Sequence, residues 1–169
     1  MKNLIPIFLI LFLITSCRKD DEIIDTLPPI TSNGSRTFGF MFNDQVWINT
    51  PKVLSTGLNV SYIESYGFTI DCIRDNKLQN NRSDVAGFLF KHIAEGVREL
   101  SEQAGDGVNI AINNPDGTIE YAVLKTGTLK ISRFDKAQRI ISGEFQAEVE
   151  VRNTGAKATI TQGRFDVKY

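Results

Sequence analysis

From Arg36 to Tyr169 apolar and polar residues change places with a period near two, the pattern of strands that bury one face and wet the other. Phe38, Phe40 and Phe42 alternate with Thr37, Gly39 and Met41, and after Asn43-Asp44-Gln45 the run Val46-Trp47-Ile48 completes a first hairpin. Leu58, Val60 and Tyr62 make a second segment, and Tyr66, Phe68, Ile70 and Cys72 a third. A polar loop over Asp75 to Asp84 leads into Val85 to Ile93, apolar and aromatic at Phe88, Leu89 and Phe90, which reads as a central strand. Val108, Ile110 and Ile112 resume the alternation. The turn Asn113-Asn114-Pro115-Asp116-Gly117 follows, and Ile119, Tyr121 and Val123 share the same face on the return. Leu129 and Ile131 open a further strand, and Arg139 to Val151 is the longest strand-like run.

The last hairpin yields a register. Phe145, Ala147, Val149 and Val151 face inward; after the turn at Asn153-Thr154-Gly155 the inward positions are Ala158 and Ile160, then Phe165, Val167 and Tyr169. The change from even to odd numbers requires one extra residue, and Gln162-Gly163 is the natural bulge. That arrangement predicts Val151 opposite Ala158, Val149 opposite Ile160, and Phe145 meeting Phe165 on one face. Ala94 to Gly107 departs from the alternation: Glu95 to Gln103 has the character of a helical turn, closed by Gly105-Asp106-Gly107. The predicted fold class is all-β and antiparallel, with about nine or ten strands in a β-sandwich, the alternative being an up-and-down β-barrel.

Before the alternation, one basic residue, Lys2, precedes eleven apolar or proline positions from Leu4 to Ile14. A bilayer-spanning helix needs roughly 20 residues, so this run has the length of a secretory signal's apolar region. It ends in Ile14-Thr15-Ser16-Cys17, an aliphatic residue, two small ones and a cysteine. This stretch resembles the lipobox of bacterial lipoproteins. The resemblance implies removal of residues 1–16, a diacylglyceryl group on the sulfur of Cys17, and a further fatty acid, such as palmitate, on the freed amine. Two or three chains anchor firmly where one alone binds marginally.

Arg18 stands where aspartate would resemble an inner-membrane retention signal, and Lys19-Asp20-Asp21-Glu22 resembles the export signal of surface lipoproteins of the Bacteroidota type. The first implies no retention at the inner membrane, and the second implies an outer-membrane protein facing the cell exterior. Residues 17–35 then read as lipidated cysteine, export signal and flexible tether, with 36–169 a single β domain. The eighteen residues Arg18 to Ser35 span on the order of 25 Å as a flexible chain. Asp25-Thr26-Leu27 resembles a three-residue O-glycosylation acceptor centred on Thr26.

Charge narrows the partners. The formal net charge is −1, and removal of residues 1–16 takes away only Lys2, leaving 18 basic and 20 acidic residues. There is no basic footprint for nucleic acid and no polybasic patch for anionic lipid. The two cysteines, Cys17 and Cys72, write no disulfide framework, and with one histidine, His92, no zinc-ligand spacing exists. Cys72 on an apolar strand face reads as an inert core thiol, and His92 as a satisfied or surface histidine. Asn113 to Gly117 lacks the regular ligand spacing of a calcium loop. No nucleophile elbow, metal cluster, cofactor motif or catalytic residue is recognisable.

Phe38-Gly39-Phe40 with Asn43 and Trp47, Gly127-Thr128-Leu129-Lys130-Ile131 with Ile141-Ser142-Gly143-Glu144-Phe145, and the ending Ile160 to Tyr169 together resemble an uncharacterised family of Bacteroidota-type surface lipoprotein domains. That resemblance supports the lipoprotein reading and implies no activity, ligand or cofactor. The expectation is a non-catalytic binding or interaction module with a protein or glycan partner, held to the membrane through Cys17. One alternative is a glycan-binding lipoprotein of a nutrient-uptake system, with Trp47, Tyr62 and Tyr66 stacking on sugar rings. Another is a small hydrolase with a carboxylate pair.

Overall fold

The computed structural model describes residues 26–50, 57–76 and 82–169; Cys17 and the charge run Lys19 to Glu22 lie outside the described residues. Among the described residues ten strands form: β1 Thr37–Phe42, β2 Gln45–Ile48, β3 Leu58–Ile63, β4 Gly67–Asn76, β5 Arg82–Phe90, β6 Gly96–Leu100, β7 Gly107–Asn113, β8 Ile119–Asp135, β9 Ile140–Val151 and β10 Lys157–Lys168. All pairs are antiparallel, and the strands make one sheet in the order β2-β1-β10-β9-β8-β7-β5-β4-β3, with β6 paired to β8 beside β7. The all-β class of the sequence reading holds within the sandwich-or-barrel group: one sheet curls into a half-barrel and supplies every wall of the core.

The curl brings the first hairpin back to β4. Thr50 N donates to Ile73 O at 2.9 Å, and the Arg74 guanidinium lies over the Trp47 ring at 5.2 Å while also donating to Val46 O. The hairpin turns on Asn43 and Asp44, both at positive φ (46° and 62°), the geometry of a two-residue primed turn whose twist matches its strands.

Inside the curl eight aromatic side chains pack among aliphatic ones. Phe38, Phe40, Phe68, Phe88, Phe90, Phe145, Phe165 and Trp47 are all buried in one cluster. Phe145 sits centrally, its ring centroid 5.1–6.3 Å from those of Phe38, Phe40, Phe88, Phe90 and Phe165. Glycine makes room for the rings. Gly163 lies opposite Phe145 and Gly143 opposite Phe165, so each ring covers the glycine of the facing strand. A Cβ at Gly163 would fall 2.6 Å from Phe145 Cζ, and one at Gly143 2.8 Å from Phe165 Cζ.

Several expectations shift. The bulge lies where the parity change requires it, between Ile160 and Gly163 with Gln162 at φ 52°, and Phe145 and Phe165 share the interior. The register, however, is two residues off. Val149 pairs with Ala158 and Ala147 with Ile160, because the turn already closes at Val151 N to Ala156 O (2.8 Å) with Gly155 at φ 69°. Ile119 and Tyr121 face outward, 42 % and 40 % exposed, since Ile110 pairs with Ala122 and the inward set of β8 is Ala122 and Leu124. The segments around Ile119 and Leu129 are one strand, β8, irregular at Lys125 and Ser132. The expected helical turn over Glu95 to Gln103 is strand β6 followed by a 3-10 turn over Glu102–Ala104, capped by Ser101 and ended by Gly105 at φ 83°. Pairing with β8 and burial of Leu100 outweigh a helix that Gly96 weakens.

Residues 27–35, expected as part of a flexible tether, are held against the domain. The buried Asp166 carboxylate accepts from Thr31 Oγ1 (2.7 Å), from the amides of Asn33 (3.0 Å), Gly34 (2.7 Å) and Ser35 (3.1 Å), and from Ser142 Oγ (2.6 Å). Successive amides converging on one carboxylate form an anion nest. Arg133 donates to Ser32 O at 2.7 Å and Arg164 to Pro28 O at 3.3 Å, and Leu27 and Pro28 lie over Gly39. Residues 27–35 are therefore a strap bound to the outside of the sheet, and Thr26 is exposed at its end.

Gly163→Ala is expected to destabilise the fold by about 1–3 kcal/mol through overpacking against Phe145, measured by denaturant unfolding. An unchanged midpoint would contradict the ring-over-glycine packing. Burial pushes the Asp166 carboxyl up, but the hydrogen bonds from Ser142, Thr31, Ser35 and Gly34 outweigh it and bring it to about 2. Because this lies below the unfolded value of about 3.9, its stabilisation is complete above that value and is lost as pH falls toward 2. Asp166→Asn should flatten stability against pH in that window and release amide-exchange protection at Gly34 and Ser35; retained protection there would count against the nest.

Candidate functional site

At one end of the half-barrel, the β3–β4 turn, the residues after β5 and the β8–β9 turn gather beside Tyr169. The last β3 residues and the turn supply Tyr62, Glu64, Ser65 and Tyr66, and the chain leaving β5 supplies Lys91, His92 and Ile93; together they line a pocket of about 170 Å³. Tyr62 packs edge-on against Phe134 (5.1 Å) and Tyr169 (5.2 Å), which fixes its ring. Tyr66 is freer, 51 % exposed at the tip of the turn. Glu64 pairs with Lys136 at 2.7 Å, tying two turns 72 residues apart, and that hydrogen bond and charge hold the Glu64 carboxyl below its ordinary value. Burial raises the Tyr169 phenol.

Lys91 is held at both its side chain and its backbone. Its ammonium lies 4.2 Å from the centre of the Tyr66 ring and donates to Tyr66 O. Its stem runs between two glycines: a Cβ at Gly67 would lie 3.3 Å from Lys91 Cδ, and one at Gly105 3.2 Å from Lys91 Cγ. The backbone is held as well. Lys91 N donates to Asp106 Oδ1 at 2.8 Å, and Lys91 O accepts from the Arg98 guanidinium. Arg98 in turn forks onto both oxygens of buried Asp106 at 2.8 Å each, and Ser101 N completes the set at 3.2 Å. Burial opposes ionisation of Asp106, but Arg98 and these amides outweigh it and its carboxyl is lowered. Asp106 thereby joins the end of β5 to β6, two segments with no ladder between them.

Of the sequence-predicted glycan contacts, Tyr62 and Tyr66 meet in this pocket and Trp47 does not. Trp47 is 2 % exposed, packs edge-on against Phe40 at 4.7 Å and lies beneath Arg74, so it offers no face to a ligand. His92 lines the same pocket, at φ 50° just after β5. Sequence reasoning missed Lys91 and Glu64. Lys91 is set by Asp106, fifteen residues on, and Glu64 by Lys136, so no local spacing marks either. Cys72 is buried, and burial pushes its thiol far up. Among the described residues no three His, Cys, Asp or Glu side chains gather as metal ligands.

A second, open concavity of about 340 Å³ lies on the outside of β8, β9 and β10, where Thr126, Thr128, Gln146, Glu148, Thr159 and Thr161 line it without an aromatic ring. The half-barrel end combines ring faces, a placed cation and hydrogen-bonding groups, which suits recognition of a ring-shaped polar ligand. No protein-family model, curated protein or solved structure matches the chain.

With Cys17 replaced by alanine, the Cys72 thiol is expected to stay silent toward a water-soluble disulfide reagent in the native protein and to react fully on unfolding in guanidinium. Fast reaction of the native protein would contradict its burial.

Proposed function

We propose that the chain is a lipid-anchored protein of a bacterial outer membrane, displayed toward the exterior, whose β domain is a non-catalytic binding module. The observation that carries this reading is the stretch Leu13-Ile14-Thr15-Ser16-Cys17 with Lys19 to Glu22 directly behind it. A diacylated or triacylated Cys17 supplies the anchor. The charge run supplies the address, and the β domain is what it displays. The strap at residues 27–35 fits this reading, since a chain that leaves the domain through a bound segment couples the anchor to the domain closely. The aromatic packing of the interior supports contact with a partner through the outer surface and the ends of the half-barrel.

A glycan-binding role is the second reading, and one observation favours it: Tyr62 and Tyr66, both expected as sugar contacts, lie in one pocket with Lys91 and His92.

Cells expressing the full chain and given labelled palmitate are expected to label it, and Cys17→Ala to abolish the label. Protease added to intact cells should remove the domain. A Cys17→Ala protein that still takes up palmitate, or a domain protected in intact cells and cleaved only after lysis, would overturn the proposal.

A further inference from the structure

We infer that the pocket formed by Tyr62, Tyr66, Lys91 and His92 takes an anionic sugar residue, one ring carrying a carboxylate or a sulfate; this rests on the glycan reading above and specifies its ligand. Glu64, the one carboxylate lining the pocket, is already paired with Lys136 at 2.7 Å. The Lys91 ammonium has different partners. They are the Tyr66 carbonyl and the Tyr66 ring, neither of which carries a formal charge, and Lys91 makes no ion pair among the described residues. The pocket therefore retains one uncompensated positive charge, with the His92 imidazole beside it.

That charge is also fixed in place. Lysine side chains ordinarily lose rotamer freedom when they bind. Here the stem is confined between Gly67 and Gly105 and the backbone is tied through Asp106 and Arg98, so much of that loss has already occurred on folding. An ammonium donating to an anionic oxygen makes a hydrogen bond roughly twice as strong as a neutral pair. Two donor hydrogens remain once the Tyr66 carbonyl is satisfied.

The rings set the shape of the occupant. The Lys91 ammonium covers one face of the Tyr66 ring, and the rest of the ring, in a residue 51 % exposed, leaves apolar surface against which the C–H-rich side of a pyranose can lie with its acidic group turned toward Lys91. Tyr62 is held by Phe134 and Tyr169 and forms a rigid wall. At about 170 Å³ the pocket is smaller than the roughly 300–1,000 Å³ of sites for drug-sized ligands, which suits one sugar ring and not a buried oligosaccharide.

The test uses the full lipidated chain in detergent with three polymers: polygalacturonate as the carboxylated probe, dextran sulfate as the sulfated one and dextran as the neutral one. The expected result is binding of polygalacturonate, dextran sulfate or both, weakened by salt, with no binding of dextran. Lys91→Met and Tyr66→Ala should each weaken that binding by about tenfold or more, with Lys91→Arg restoring much of it and unfolding midpoints showing that the variants fold. Binding of only one anionic polymer identifies its acid group as the one recognised. Dextran binding as tight as the anionic polymers and lost in Tyr66→Ala would overturn the anionic preference and leave the glycan reading standing. Anionic binding unchanged in both Lys91→Met and Tyr66→Ala would overturn the site, and no binding of any polymer would overturn the glycan reading with it.

Discussion

The architecture depends on one steric exchange between β9 and β10, in which each phenylalanine ring occupies the space that a side chain on the facing strand would fill. Phe145 lies over Gly163 and Phe165 over Gly143. A single sheet that curls on itself has little interior width, and Phe145 and Phe165 find their room where the paired residue on the neighbouring strand has no Cβ. With that room provided, Phe145 reaches the ring of Phe165 on its neighbour β10 and those of Phe38 on β1 and Phe88 on β5, strands that share no ladder with β9. Burying a phenylalanine side chain stabilises by about 1.5–3 kcal/mol, so this cluster is a large favourable term of the fold. The bulge at Gln162 follows from the same demand, since without it Phe165 would point to the outside.

Where ladder pairing stops, buried aspartates take over. Asp84 accepts from Arg74 and from Asn113 N, beside the place where Arg74 meets the first hairpin. Asp106 closes the step from β5 to β6, and Asp166 binds the strap. Each carboxylate satisfies backbone or guanidinium donors that burial would otherwise leave costly. The candidate site inherits its order from one of these. Lys91 is held because Asp106 holds the residues on either side of the gap.

Much of the fold was legible from residues alone, and the reasons are local. Alternation located the strands other than β6, the parity change between Ile160 and Phe165 located the bulge, and Asn43-Asp44 located the first turn. Side-chain bulk misled at Ile119 and Tyr121, because small Ala122 is the inward residue and large ones face water. The hairpin register depended on a turn geometry that Asn153-Thr154-Gly155 does not specify uniquely. The strap was hidden because its partner, Asp166, lies more than 130 residues away. Tyr62 and Tyr66 were legible as aromatic candidates, but their company was not: Lys91 joins them only through the sheet's curl. Trp47, in a strand of the same appearance, went to the core because the first hairpin folds back onto β4.

If the interior is a packed aromatic core and recognition belongs to its outer ends, the single tryptophan reports on it directly. Trp47 is 2 % exposed and sits where the first hairpin closes on β4. Acrylamide quenching of its fluorescence is the most direct measurement: the account predicts a blue-shifted emission that acrylamide barely quenches until the protein unfolds. Quenching of the native protein as efficient as that of free tryptophan would contradict it.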